Sequence, residues 1–170
     1  KYLIYRGELR AVTSRGSELI FGTVHDEGQP TGVYFVDLET SKARKAQMPG
    51  AVALERDEDT LYAAGVDGRL WRGELERAAL EAVGEPFEGE LVALALVSGD
   101  KLAVAHGPGV SIVSRADGTV HQHLALPERA TCLAADPSGE WLVVGTDRGV
   151  VQVYQCEDQD DFELSAQSKL

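Results

Sequence analysis

No run of apolar residues in this chain approaches the roughly 20 that a helix needs to cross a bilayer, so no membrane partner is expected. Positive charge is scarce: 16 Lys and Arg face 28 Asp and Glu, for a formal net charge of −12. A field of that sign repels phosphate backbones, which removes nucleic acid from the expected partners. Catalytic signatures are missing as well. There is no G-x-S-x-G around a nucleophilic serine, and no glycine-rich loop follows P-loop or dinucleotide spacing. Catalysis is not expected, nor is a cofactor. Cysteine is limited to Cys132 and Cys156. The strand assignment below sets one strand between them, a separation of about 9–10 Å that no disulfide spans. Two free thiols suit a reducing compartment, and a cytoplasmic location is expected. The chain opens on Lys1 rather than Met, and a longer parent chain is expected.

What the sequence does have is a repeat. The segments LIFGT, LYAAG, LAVAH and LVVGT begin at Leu19, Leu61, Leu102 and Leu142, spaced 42, 41 and 40 residues apart. Upstream of each stands another apolar anchor, Val12, Leu54, Leu94 or Leu133. Three residues after each leucine comes a small residue, Gly22, Ala64, Ala105 or Gly145, which suits a place where neighbouring sheets crowd together. A glycine then opens or precedes the next strand, at Gly32, Gly68, Gly109 and Gly149. Asp67-Gly68 is the dipeptide favoured by a type I′ hairpin, and Gly107-Pro108-Gly109 and Asp147-Arg148-Gly149 serve the same purpose with one more residue. A period near 41 with four short strands per unit predicts an all-β β-propeller. About four consecutive four-stranded antiparallel blades are expected, part of a larger ring.

The repeat divides the chain into an outer strand of another blade at 1–7, carried by Tyr2-Leu3-Ile4-Tyr5, then blades at 8–49, 50–89, 90–128 and 129–170. In the last, strand a is expected near Ala130–Ala134, b at Trp141–Thr146, c at Val150–Tyr154 and d around Phe162–Ser168, with Asp136-Pro137-Ser138-Gly139 turning a into b. One segment pulls the other way. Glu74 to Val83 is rich in Ala, Leu, Glu and Arg and has strong helix propensity, but the repeat phase places a turn and a strand d there. The phase is the stronger signal, with at most one helical turn near Arg77.

The stretch ATCLAADPSGEWLVVGTDRGVVQVYQ resembles the core of a WD repeat, in the order strand a, turn, b, turn, c. Where that family ends strand c in Trp-Asp, this chain has Val36-Asp37, Gly73-Glu74, Val113-Ser114 and Tyr154-Gln155, and none of its four histidines follows the glycine that precedes strand a in the family. The resemblance therefore implies a WD-type propeller without the family's buried Asp–His–Ser/Thr–Trp network, of which only Thr146 and Asp147 remain. The blades are expected to rely on apolar packing. A lactonase-like or quinoprotein-like propeller is the related alternative.

Candidate chemistry is sparse. His121 and His123 stand two apart on a strand, which would place both imidazoles on one face, but no third ligand has usable spacing and no metal is expected. Glu157, Asp158, Asp160, Asp161 and Glu163 lack the spacing of a calcium loop and read as a solvated connection. Cys132 falls on a strand expected to be buried, His106 reads as a polar loop residue beside Gly107, and Trp71 as a side chain packed between blades. The terminal Ser168-Lys169-Leu170 matches a peroxisomal address but reads as the end of a strand.

The expected function is a non-catalytic scaffold for protein partners. In the WD family the d–a and b–c loops form the usual docking surface, and the resemblance carries that role onto Asp67, Arg69, His106, Arg129, Asp147 and Arg148. The remaining blades would come from the parent chain or another copy. An enzyme with a central-channel site is the alternative from another class, and the Ala, Val and Leu of the innermost strands argue against it. A sensor domain attached to a catalytic module elsewhere in the parent chain is a third reading.

Overall fold

In a computed structural model, residues 8–25, 31–107, 109–156 and 161–169 are described. They form sixteen strands in four antiparallel sheets, each a simple up-and-down meander. The first sheet joins β1 (Glu8–Arg15), β2 (Glu18–His25), β3 (Gly32–Asp37) and β4 (Ala43–Gln47). The second joins β5 (Ala51–Asp57), β6 (Thr60–Gly65), β7 (Leu70–Glu74) and β8 (Glu81–Val83). The third joins β9 (Leu91–Leu96), β10 (Lys101–His106), β11 (Gly109–Ser114) and β12 (Val120–Ala125). The fourth joins β13 (Ala130–Ala135), β14 (Trp141–Thr146), β15 (Val150–Cys156) and β16 (Phe162–Lys169), close to the strands read from the repeat. No helix occurs among the described residues. The leading segment at Tyr2–Tyr5 and most of the 157–163 carboxylate cluster lie outside them, as does Leu170.

The chain divides into two compact units, residues 1–86 and 87–170, each holding two sheets. In the first unit, Ile20, Val33, Phe35 and Ala46 of the first sheet pack with Ala51, Leu61 and Ala63 of the second. In the second unit, Ala103, Ala105, Val110 and Ile112 pack with Leu142, Val144 and Tyr154. The same face is used each time. Within each unit, the residues one and three places after the anchor leucine of its first sheet face its second sheet, and the anchor leucine of that second sheet, with the residue two places on, faces back. Fully burying each large apolar side chain in such a layer stabilises the fold by about 1.5–3 kcal/mol.

Register repeats as strictly as sequence. Val12 pairs with Phe21, Leu54 with Ala63, Leu94 with Val104 and Leu133 with Val144. Each first strand then carries a β-bulge, with Arg10, Val52, Val92 or Thr131 as the extra residue, and β1 shifts register once more between Glu8 and Leu9. A bulge increases local twist and re-aims the strand end. Nothing in the sequence signals it.

The Glu74–Val83 segment follows the repeat phase rather than its helix propensity. After β7 the chain turns, with Ala78 at φ 47°, and returns as the three-residue β8. Leu75 and Leu80 are drawn into the first unit's core, and that burial outweighs a propensity worth a few tenths of a kcal/mol per residue. Asp67-Gly68 does not form a type I′ turn, since only Gly68 has positive φ. Gly68 N–H donates to the Gly65 carbonyl (3.1 Å) and Gly65 N–H to the Arg69 carbonyl (2.9 Å), so Val66, Asp67 and Gly68 form a three-residue loop with glycine in the left-handed position. Cys132 and Cys156 are both free, on β13 and β15 with β14 between them, but Cys132 is exposed rather than buried because it faces away from the second unit's core.

Candidate functional site

The turns after the second strand of each sheet mark one repeat position, four residues past the anchor leucine, occupied by Thr23, Gly65, His106 and Thr146. Each corner is fastened by a polar group: a threonine hydroxyl at the first and fourth, a carboxylate at the second and an imidazole at the third. At the first, Gly32 N–H donates to Thr23 Oγ1 at 3.0 Å, and that hydroxyl donates to the Gly32 carbonyl at 3.2 Å. At the second, Asp67 Oδ1 accepts from Arg69 N–H and from the Trp71 indole N–H, both at 3.3 Å. Glycine leaves room for this contact: a Cβ on Gly65 would stand 2.1 Å from that carboxylate oxygen and 2.8 Å from the indole nitrogen, so both side chains would have to shift. Trp71 itself packs against the core between the first two sheets, as read from the sequence.

The third corner is a relay of side chains. His106 Nδ1 lies 3.0 Å from the Glu88 carbonyl, which only accepts, so this nitrogen carries the hydrogen. In the neutral ring Nε2 is then an acceptor, and the Ser111 hydroxyl donates to it at 2.8 Å. Ser111 Oγ in turn accepts from His123 Nδ1 at 3.3 Å. Phe87 lies against the His106 ring, with 5.0 Å between ring centroids. His106 is thus a buried strand-end residue and not a loop residue. At the fourth corner Thr146 Oγ1 accepts from Val150 N–H at 3.1 Å and donates to Glu128 Oε2 at 3.0 Å.

The packing of one sheet on the next within each unit is apolar, as expected, and these contacts add polar fastenings at the turns. The WD-type network is not reproduced, yet every corner has a polar fastening, at the repeat position itself in three and at Asp67, two residues on, in the other. The pairing of His121 with His123 also fails. His121 is the extra residue of a β-bulge in β12, which breaks the period-two spacing the pairing rested on. Among the described residues no three His, Cys, Asp or Glu side chains converge on a metal-sized site.

Of the six residues expected at a docking surface, Asp67 and Arg69 belong to the first unit and the other four to the second. Within the second unit, Asp147 N–H donates to the Arg129 carbonyl at 3.0 Å, tying the loop before β13 to the β14–β15 turn. Arg148 is exposed on that turn. The Arg129 guanidinium forms an ion pair with Glu90, and both side chains are largely exposed. Together with Gly107, Leu126, Pro127 and Glu128 they line an open cleft of about 490 Å³. Sequence reasoning did not single out Glu90 or Glu128, whose partners lie 39 and 18 residues away, nor Ser111, which meets His106 only across the β10–β11 hairpin. The distant turns are fixed by carboxylates. Hydrogen bonds from the Ser138 hydroxyl and from Trp141 N–H hold the Asp136 carboxyl below its usual range. Those from Thr40 and Glu39 do the same for Asp37.

Sheets of this kind, in this order, define the β-propeller fold, and solved structures bear this out. The chain is similar to the computationally designed Ika4 protein, with a TM-score of 0.74 at 14% identity over 89% of this chain and 92% of that one. It is similar to the β-propeller domain of Myceliophteria thermophila Cps50 (Swd1), with a TM-score of 0.73 at 12% identity over 94% of this chain and 58% of that one. Against the computationally designed Ika8 protein the TM-score is 0.70 at 14% identity, over 86% of this chain but 45% of that one. The chain therefore spans about half the length of two of these three structures. No family model and no curated protein sequence matches it.

Proposed function

We propose that this chain is a WD-repeat-like, non-catalytic scaffold that binds a protein partner through the loops bordering its fastened corners. The observation that carries the proposal is the contrast at one end of the second unit. His106 and Thr146 are buried and fully engaged, so the corners are rigid, while Arg129, Glu90, Asp147 and Arg148 stand out around an open cleft. A rigid frame that presents charged loops loses little entropy on binding. The WD reading is supported by the Asp37 carboxylate, which closes the turn after strand c by accepting from Glu39 and Thr40 N–H at 2.9 and 2.8 Å. Ser114 does the same at the matching turn, accepting from Ala116 N–H at 3.2 Å.

The non-catalytic reading is supported at the most reactive-looking pair. Ser111 and His106 are hydrogen-bonded like a nucleophile and its base, but Ser111 is buried and its oxygen already lies between two imidazoles. A cytoplasmic location is supported by the two free thiols. The test is charge reversal: R129E and R148E are screened against arrays of acidic and basic peptides. Loss of acidic-peptide binding in both variants supports the docking surface. Unchanged binding removes both arginines from it.

A further inference from the structure

The fourth sheet carries an uncovered layer. Ile20 in the first sheet and Ala103 in the third, each one place after its anchor leucine, are both 0% exposed beneath the sheet that follows. The equivalent residue of the fourth sheet, Val143, is 37% exposed. Cross-strand register puts Ala134, Val143 and Val153 in one row of that face, and Cys132, Gly145 and Val151 in the next. No charged residue stands in β13, β14 or β15, in a chain with 26% charged residues. Depletion of charge marks the core of an interface rather than a solvated sheet.

The repeat also says what shape belongs there. Gly22 is small because Ala51 of the following sheet sits on it: a Cβ there would be 2.7 Å from the Ala51 Cβ. Gly145 holds the same repeat position. Ala51 and Leu54 are the residues by which the second sheet packs on the one before it, and register makes Leu9 and Val12 their counterparts in the first sheet. Leu9 is 55% exposed and Val12 67%. One chain thus presents both halves of a sheet-to-sheet contact, and both stand open.

We infer that the outer face of the fourth sheet is covered by β1 of a second copy of this chain, Leu9 and Val12 seating against Gly145 and Val143. A sheet face of four strands by five residues covers about 300 Å², so one such contact buries about 600 Å² in total. That falls short of the roughly 1,200 Å² of a stable specific interface, whereas a two-fold pair forms the contact twice and reaches it. The solved Ika8 chain, of which this one covers 45%, is long enough for two such copies in one polypeptide.

Sedimentation equilibrium of the 170-residue chain tests this. The expected result is a species of twice 18.3 kDa. Its dissociation constant should fall as salt rises from about 0.1 to 1 M, since two chains of net charge −12 repel each other less when screened. V143E and V12E should each weaken the pair at least tenfold with unchanged circular dichroism. An equimolar mixture of the two should regain part of the association, because one intact contact remains. A monomer at all concentrations overturns the inference. So does a dimer that neither variant weakens, or a mixture no tighter than its components.

Discussion

Gly22 and Gly145 occupy one position of the repeat in the first and the last sheet, yet they are small for different reasons. Beside Gly22 stands backbone of the next sheet, with a Cβ calculated to fall 2.7 Å from the Ala51 Cβ and 2.8 Å from its carbonyl oxygen. Beside Gly145 the crowding atom is the Cys132 Sγ of its own sheet, at 2.7 Å. The repeat sets the chemistry of a face, and what lies across from it decides whether that chemistry is buried. Comparing equivalent positions therefore separates what each sheet needs for itself from what it needs a neighbour for.

The largest expected contrast is between Ile20→Ala and Val143→Ala. Truncating the wholly buried Ile20 should cost about 2–5 kcal/mol, from lost transfer energy and the cavity left behind. Truncating Val143 in the isolated chain should cost less than about 1 kcal/mol. Urea midpoints measured on dilute protein give both values. If Val143→Ala becomes markedly more costly as protein concentration rises, its face is being covered in solution.

Gly22→Ala and Gly145→Ala come next. The first must push β5 backbone aside and should cost about 1–3 kcal/mol. The second needs only a rotation of the exposed Cys132 side chain and should stay under about 1 kcal/mol. Equal losses would show that Gly145 is as enclosed as Gly22.

How much of this was legible beforehand follows from the same positions. Leu19, Leu61, Leu102 and Leu142 fix strand phase because each opens a short apolar run, bounded by turn residues, that recurs at a near-constant interval. That phase was enough to override the helix propensity after Glu74. The bulges at Arg10, Val52, Val92 and Thr131 were not legible, since none of these residues is a glycine or proline that would mark one. The corners were half legible. Their position recurs, but the hydroxyls of Thr23 and Thr146, Asp67 with Trp71, and His106 with Ser111 solve one problem with three chemistries. A motif sought by residue type misses them, because what recurs is a backbone N–H or carbonyl that must be satisfied at a buried turn.

The corners give the third contrast. His106→Ala removes the donor to the Glu88 carbonyl and the acceptor of the Ser111 hydroxyl, which keeps only His123, and should cost about 1–3 kcal/mol. Thr146→Ala deprives Val150 N–H of its acceptor and should cost about 1 kcal/mol. Urea unfolding of each, beside the double variant H106A/T146A, checks whether the two corners act independently. No common partner atom joins them, so the two losses should add to within about 0.5 kcal/mol.

The smallest effect lies in the turns, where the first and last sheets behave alike despite their different faces. Asp136 accepts from the Ser138 hydroxyl at 2.6 Å and from Trp141 N–H at 2.8 Å, and these bonds favour the ionised carboxylate. Its folded pKa is therefore below the ordinary value of 3.8. Asp37 is lowered in the same direction, chiefly by Thr40 N–H. A carboxylate with a depressed folded pKa binds fewer protons in the native state than in the unfolded one around that pH. Its contribution is fully present above the unfolded value and disappears as pH falls through the folded one. Asp136→Asn and Asp37→Asn should thus each flatten the loss of stability below about pH 4 and shift the curve by a constant between pH 6 and 8. Thermal melts across that range read the change in slope. Because both carboxylates sit in exposed turns fastened by local donors, the two variants should agree, whatever covers the sheets beside them.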